Sequence, residues 1–462
     1  MNLKKVSKLM VSTFLAFTIA QGFNPVSVQA ETQLTKTAKR VQGLDRFKTS
    51  RAIAEEIGFG ELENVVITSG FGFADGLSAS TFAKKLNAPL LLAGDLKSSS
   101  EAISYISAKL KDQGNVYIIG GEGVVSKDTE TALTNKGYKV TRIFGKGRIE
   151  TNNAIINELE VAEGTPVFIS NALGYADALS ASGVAAIKDY PMLLTNADKL
   201  PDLIKGQLTK IKPSKVYVVG GEGVVKPAVV NEIKAMLPSV EIVRLGGSTR
   251  YETSMSIFNQ FDLDTKNIVL ASGKGFADAL SGSQLAVKLN APMVLADESN
   301  LYKQQLKFDE KALENYYLLG GTGSLSDNVQ QFVVMDLDKE FADIKAVLNN
   351  LAEAVKFKDI EMYMAEIDPS APGYKDTRDV YTEVFAALTE EEVNIESIYE
   401  SIDMMSMTTK EAKVKAVEND KITYKDPETG EDVAEEELYT MTVTFKKVNG
   451  KWKIYESEII EE

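Results

Sequence analysis

The sequence predicts an α/β protein: three tandem units with parallel sheets, followed by a separate α+β domain. Three observations carry this. One motif is written three times, as "FGFADGLSAS" from Phe71, "LGYADALSAS" from Leu173 and "KGFADALSGS" from Lys274. Around each copy, short continuous apolar runs alternate with helical stretches, the pattern of strands covered on both faces by crossover helices. Beyond residue 336 the pattern changes to amphipathic helices and then to long alternating strands.

The chain opens with what reads as a secretory signal over residues 1–30. Lys4, Lys5 and Lys8 form a basic start, residues 9–20 an apolar stretch too short to span a bilayer, and Val28-Gln-Ala30 a small-residue cleavage site. No later apolar run is long enough to cross a membrane, so no membrane span is expected in the mature chain. The 462 residues are 44% hydrophobic and 25% charged, enough to bury several cores. There is no cysteine and no histidine. Disulfides, thiolate or imidazole metal sites and Ser-His-Asp catalysis are therefore excluded within this chain.

Charge is divided unevenly. Without the three lysines of residues 1–30, the net charge of −15 becomes −18. Residues 336–462 hold 32 Asp and Glu against 15 Lys and Arg, which leaves residues 31–335 close to neutral. The asymmetry points to two modules with different partners. Neither has the basic excess of a nucleic-acid binder, and no nucleic-acid partner is expected.

Four landmarks recur in fixed order. They are an arginine (Arg46, Arg148, Arg250), the motif aspartate (Asp75, Asp177, Asp278), a proline heading an apolar run (Pro89, Pro191, Pro292) and a glycine pair. The pairs are Gly120-Gly121, Gly220-Gly221 and Gly320-Gly321. Arginine to aspartate is 29, 29 and 28 residues, and aspartate to proline is 14 in all three. The repeats run over 38–137, 138–238 and 239–334. Their runs "NVVITS", "PLLLA" and "VYIIGG", with the equivalents in the other copies, read as strands. "SRAIAEEI" and "EAISYISAKLKDQ" read as crossover helices.

Each landmark has a structural and a functional reading. The aspartate opens a helix after a glycine loop, where a carboxylate is a favoured N-cap, or it contacts a ligand. The arginine lies between a strand and the next helix, where a cation opposes the helix dipole and needs a compensating anion. That anion is either the motif aspartate, in a bridge tying two loops together, or a phosphate or carboxylate of a bound polymer. The glycine pair suits a tight strand-to-helix turn. "GGEG" is not followed by Gly-Lys-Ser/Thr, so no nucleotide or other cofactor is read from it. The proline-headed runs read as core strands.

Taken together, "R-x-E/K-T", "F/Y-A-D-A/G-L-S", "P-x-L/V-L" and "V-Y-x-x-G-G-x-G" in three tandem copies resemble the cell wall-binding repeat type 2 family of Gram-positive bacteria, over residues 38–334. The resemblance implies Rossmann/toprim-like modules around a pseudo-threefold axis. It also implies a secreted, surface-layer-associated wall protein attached non-covalently to an anionic wall polysaccharide or teichoic-acid-like polymer. Candidate polymer-binding residues are then the three arginines, the three aspartates and the six glycines named above; no catalytic or metal residues are assigned.

Residues 336–462 read as an acidic α+β domain. Helices over "LDKEFADIKAVLNNLAEAVKFKDIEMYMAEI" and "TRDVYTEVFAALTEEE" flank a Pro/Gly break. Strand-like runs follow in "EAKVKAVENDKITYKD" and "LYTMTVTFKKVNGKWKIYESEII", with Asn449-Gly450 as a hairpin turn. The element order and this hairpin resemble the nuclear transport factor 2-like fold. Trp452 is expected in the core. The "EEE" runs at 390–392 and 435–437 are expected to be solvated, and no site is assigned, although a small ligand or a protein partner suits such a domain. The expected function is a wall-anchored surface protein without enzymatic activity. The rival is a secreted carbohydrate-active enzyme working through carboxylates.

Overall fold

The computed structural model describes residues 35–426 and 429–460. The expected signal over residues 1–30 lies outside them. The chain divides into two compact units, one spanning Leu34–Val334 and the other beginning at Met335.

In the first unit, β1 (Thr37–Val41) and α1 (Arg46–Ile57) come first. Then follow β2 (Leu62–Ser69), α2 (Ala74–Lys85), β3 (Leu90–Ala93), α3 (Ser100–Lys109), β4 (Leu110–Ile119), α4 (Lys127–Asn135) and β5 (Lys139–Ile143). The second module brings α5 (Arg148–Leu159), β6 (Val167–Asn171), α6 (Ala176–Lys188), β7 (Met192–Thr195), α7 (Asp202–Ile211), β8 (Lys215–Val219), α8 (Pro227–Met236) and β9 (Glu241–Leu245). The third is α9 (Arg250–Gln260), β10 (Asn267–Ser272), α10 (Ala277–Leu289), β11 (Met293–Ala296), α11 (Leu301–Glu310), β12 (Asn315–Leu319) and α12 (Asp327–Phe332). The "AKLKDQ" end of the expected helix is divided, since α3 stops at Lys109 and β4 begins at Leu110.

Three four-stranded parallel sheets result, ordered β3-β2-β4-β5, β7-β6-β8-β9 and β1-β12-β10-β11. The sheets are out of step with the sequence repeats. Each takes its last strand from the start of the following copy, and β1, at the head of the first copy, completes the third sheet. Its register runs from Thr37 beside Asn315 to Val41 beside Leu319. The arginine-bearing helices sit at the joins. For example, α5 packs on α2 of one module and on β7 and α7 of the next.

The motif helices α2, α6 and α10 pack on one another around the pseudo-threefold axis. Their motif leucines, Leu77, Leu179 and Leu280, are buried there, each worth roughly 1.5–3 kcal/mol. The first copy reads Ala-Asp-Gly where the others read Ala-Asp-Ala. A Cβ at Gly76 would stand 2.5 Å from the Leu280 side chain, so the axis is too tight for alanine there. Polar contacts fix the helices further: the Ser80 and Ser283 hydroxyls are 2.8 Å apart, and Gln284 Nε2 donates to the Ser80 carbonyl.

The proline-headed runs form the edge strands β3, β7 and β11, whose residues are all buried, as are Pro89 and Pro191 at their heads. The open edge is closed by a polar side chain from the bridging helix. Ser50 Oγ accepts from Leu92 N, Asn152 Oδ1 from Leu194 N, and Ser254 Oγ from Leu295 N. These strands are scaffold that the bridging helices seal.

The second unit comprises α13 (Leu337–Lys356), α14 (Ile360–Ala365) and α15 (Tyr374–Glu390), then an antiparallel meander. Its strands are β13 (Asn394–Met407), β14 (Glu411–Lys425), β15 (Asp432–Val448) and β16 (Lys451–Ile459). The expected α+β class is observed. Asn449 and Gly450 both take positive φ, +49° and +80°, as the two-residue hairpin requires. Trp452 is buried, and its Nε1 donates to Glu340 Oε2 at 2.6 Å. Strand β13 was not among the expected strands.

Candidate functional site

All three copies of the motif loop open at the carboxyl ends of parallel strands, where the strand order of each sheet reverses. In the first module this place lies between β2 and β4, the usual position for a ligand crevice in such sheets. The motif aspartate fills it. Asp75, Asp177 and Asp278 are not helix N-caps: the cap residues are Phe73, Tyr175 and Phe276, and no side-chain cap bond forms. The carboxylate instead turns inward beneath the glycine turn. A Cβ on Gly120, Gly220 or Gly320 would run into the aspartate Oδ2 of the same module. These first glycines also take φ of +110°, +101° and +86°.

Burial raises all three carboxyls above their ordinary value. For Asp75, the opposing influences are Arg148 and then the Thr151 hydroxyl; for Asp177, the Thr253 hydroxyl and then Arg250. For Asp278 they are Ser324, whose Oγ donates at 2.9 Å, and then Arg46. Each aspartate is therefore coupled to the arginine of the next copy, and the third closes back on the first. No second carboxylate acts on any of them.

The arginines occupy the first helical position of α1, α5 and α9. The direct Arg–Asp bridge considered from the sequence does not form: among the described residues, no carboxylate makes an ion pair with Arg46, Arg148 or Arg250. Each guanidinium donates through Nη1 to a strand-end carbonyl of its own copy. Arg46 reaches Gly70 at 2.7 Å, Arg148 reaches Ala172 at 3.1 Å, and Arg250 reaches Gly273. Each also stacks on the motif aromatic of the preceding copy. The distances are 5.3 Å from Arg148 to Phe73, 5.6 Å from Arg250 to Tyr175 and 5.7 Å from Arg46 to Phe276. The three rings touch one another, with centroids 5.4, 6.0 and 6.1 Å apart, and so mark the pseudo-threefold axis. All three arginines are exposed.

The second glycines face the loop that leads to the next arginine. A Cβ on Gly121 would meet the Phe144 ring at 3.7 Å, one on Gly221 the Gly247 carbonyl at 3.4 Å, and one on Gly321 the Gln42 Oε1 at 3.2 Å. Exposed Leu44 and Phe144 stand on these same loops, and exposed Phe71 and Leu173 on the motif loops. Each junction therefore presents a cation, an aromatic stack and apolar surface outside, with a largely buried carboxylate beneath.

A second recurring arginine escaped the sequence reading. Arg40, Arg142 and Arg244 each lie in the last strand of a sheet and grip the glycine turn. Arg142 Nη1 donates to the carbonyls of Gly120 at 2.8 Å and Val125 at 3.0 Å, and Arg244 holds Gly220 and Val225 in the same way. The signal was present, since these residues are spaced by 102 positions like the arginines six residues later.

Residues 40–130, 142–230 and 244–330 match the family model Cell wall binding domain 2. The chain belongs to the cell wall binding domain 2 family. Among solved structures, this cell wall binding domain protein is similar to Cwp8 from Clostridium difficile. That match has 28% identity and a TM-score of 0.59, covering 64% of this chain and 52% of that one. Cwp6 from the same organism, at 24% identity and a TM-score of 0.55, shares the fold over 66% of this chain and 48% of that one. The N-acetylmuramoyl-L-alanine amidase LytC of Bacillus subtilis is 30% identical over 297 residues, 63% of this chain and 57% of LytC. The chain spans only about half the length of such relatives. The three repeats mark a cell-wall-associated protein, and no described helix is long and apolar enough to cross a membrane. Residues 346–462 match a different model, Anti-sigma-I factor RsgI9, C-terminal domain.

Proposed function

We propose that this is a secreted surface protein. Its three modules hold it non-covalently to an anionic wall polysaccharide or teichoic-acid-like polymer, and its C-terminal unit takes a small ligand or a protein partner. The observation that carries the anchoring reading is the ring of exposed Arg46, Arg148 and Arg250. Each is aimed by a carbonyl and an aromatic ring and has no ion-paired carboxylate among the described residues. A planar guanidinium so held suits bidentate recognition of a phosphate or carboxylate. The exposed Phe71, Phe144 and Leu173 beside these arginines suit the apolar faces of sugar rings. Asp75, Asp177 and Asp278, with the glycine pairs, shape each station from beneath. Three modest stations reading one repetitive polymer give retention through multivalency.

The reading is of a binder and not of an enzyme. Acid–base hydrolysis of a glycoside uses two carboxyl groups, and each motif aspartate stands without a second. The amidase activity in the name of LytC is that protein's own. Secretion rests on residues 1–30. Co-sedimentation with purified walls tests the proposal. The protein should pellet with native walls and stay in solution with walls stripped of their anionic polymers. Equal retention on stripped peptidoglycan would defeat it, and release of reducing sugar would support the enzyme instead.

A further inference from the structure

The sheet of the C-terminal unit changes character along its inner face. At one end, Ala412, Val414 and Ala416 of β14 lie beside Met441, Val443 and Phe445 of β15, all buried. At the other end the same alternation places Glu418 and Asp420 inward. Glu418 is fully buried and Asp420 is 9% exposed. Neither Glu418 oxygen has a hydrogen-bond partner, nor has Asp420 Oδ1, and the buried Tyr399 hydroxyl beside them also lacks one. Among the acidic residues of this unit, only the "EEE" runs were singled out from the sequence, and these two were not.

Among the described residues, the titratable groups that act on the pair are all acidic or phenolic. Tyr399 of β13 and Tyr439 of β15 flank Glu418, and Glu437 of β15 flanks Asp420. From the helices, Tyr363 of α14 and Tyr381 of α15 act on the pair, their rings stacked at 4.2 Å. Among the described residues, no lysine or arginine acts on either carboxyl. Burial and then Asp420 push Glu418 well up, while burial and then Glu437 push Asp420 up to about 8. Glu437 and Tyr439 are only half-buried, so the cluster reaches solvent at this end.

We infer that Glu418 and Asp420 form an interior binding site for the primary ammonium group of a small organic amine. Buried polar atoms are rarely left unpaired, because each costs roughly 1–3 kcal/mol. Three orphan carboxylate oxygens match the three N–H donors of a primary ammonium. The phenol oxygens of Tyr399 and Tyr439 beside the pair can accept from a cation as well. Empty, the pair holds protons; an entering ammonium replaces them, so binding releases protons. The inference rests on reading this unit as ligand-binding and is independent of wall attachment.

The test is calorimetry on the full chain at pH 7 in two buffers of different ionisation enthalpy, in about 0.15 M salt. The probes are propylammonium and 1,4-diaminobutane, with tetramethylammonium, propanol and acetate as controls. The primary amines should bind at one site with proton release, and the controls at least tenfold more weakly. Glu418→Gln with Asp420→Asn, isosteric with the protonated pair, should weaken amine binding at least tenfold while Trp452 fluorescence stays native. If the double variant is misfolded, Asp420→Asn alone serves. Failure of both amines to bind, equal binding of tetramethylammonium, or unchanged binding by the folded variant overturns the inference. One-site binding of propanol or acetate without amine binding would keep a ligand-binding unit and reject this ligand class.

Discussion

Replacing Arg40 by methionine should destabilise the third module, although Arg40 lies at the head of the first sequence repeat. The Arg40 side chain is 8% exposed, and its guanidinium donates to three carbonyls. These are Leu325 at 2.7 Å and Gly320 and Ser326 at 3.2 Å; Nε donates to Gln330 at 3.1 Å. Methionine keeps much of the aliphatic stem and removes every donor. Three charge-assisted bonds at about 1.5 kcal/mol each, discounted for non-additivity, give a loss of about 3–4 kcal/mol. The ion pair to Asp327 adds little, because that carboxylate is 68% exposed. At about 2 °C per kcal/mol for a unit of this size, the melting temperature should fall by about 6–8 °C. Hydrogen exchange read by mass spectrometry locates the damage. Amides of residues 315–332 should exchange faster, while those of residues 62–143 stay protected. A loss below about 1 kcal/mol, or faster exchange confined to residues 62–143, would refute the closure of the third sheet by β1.

Two further outcomes follow from the same structure. Gly320→Ala should cost about 2–4 kcal/mol by chemical denaturation, because its φ is +86° and a Cβ would strike the Asp278 carboxylate; an unchanged midpoint would contradict the packing of that turn. The C-terminal unit should lose stability as pH rises from about 4 to about 8. Folded Asp420 and Glu418 hold protons that the unfolded chain releases near pH 4, so the stabilisation is complete below that value and is lost as pH climbs through the folded values. The slope is at most about 1.4 kcal/mol per pH unit for each group. Denaturation followed through Trp452, the sole tryptophan, should show this slope, and Glu418→Gln with Asp420→Asn should flatten it. Stability that is flat or rises over this range in the unaltered protein would contradict the burial of the pair.

Much of the three-module unit was readable because its determinants are local and repeated. Strand runs, glycine turns and crossover helices announce themselves within ten residues, and threefold repetition separates signal from chance. What was not readable depends on contacts across the chain. The exchange of β1 into the third sheet joins Val41 to Leu319, and local patterning carries no trace of such pairing. The same applies to the arginines: Arg46 stacks on Phe276, so its partner belongs to another copy. Asp75 fits the N-cap preference, but the pull of a hydroxyl and the space under Gly120 take it elsewhere. In the C-terminal unit, β13 carries Glu396, Glu400 and Asp403 among its apolar residues, which blurred its alternation. Glu418 and Asp420 occupy inward positions that the period-two pattern assigns to apolar residues. The departure from pattern was the available signal of a site.

The most direct test of the account is wall binding by a protein with Arg46, Arg148 and Arg250 all changed to glutamine. The three side chains are exposed and lack ion-paired carboxylates among the described residues, so losing one carbonyl bond and one ring contact at each, about 1 kcal/mol apiece, should leave the variant folded with a melting temperature lowered by about 6 °C or less. With about 1 kcal/mol or more lost at each station, affinity for native walls should fall by on the order of a hundredfold or more, with single changes giving partial losses. A folded triple variant that pellets with native walls as the parent does would contradict the claim that these three arginines hold the polymer.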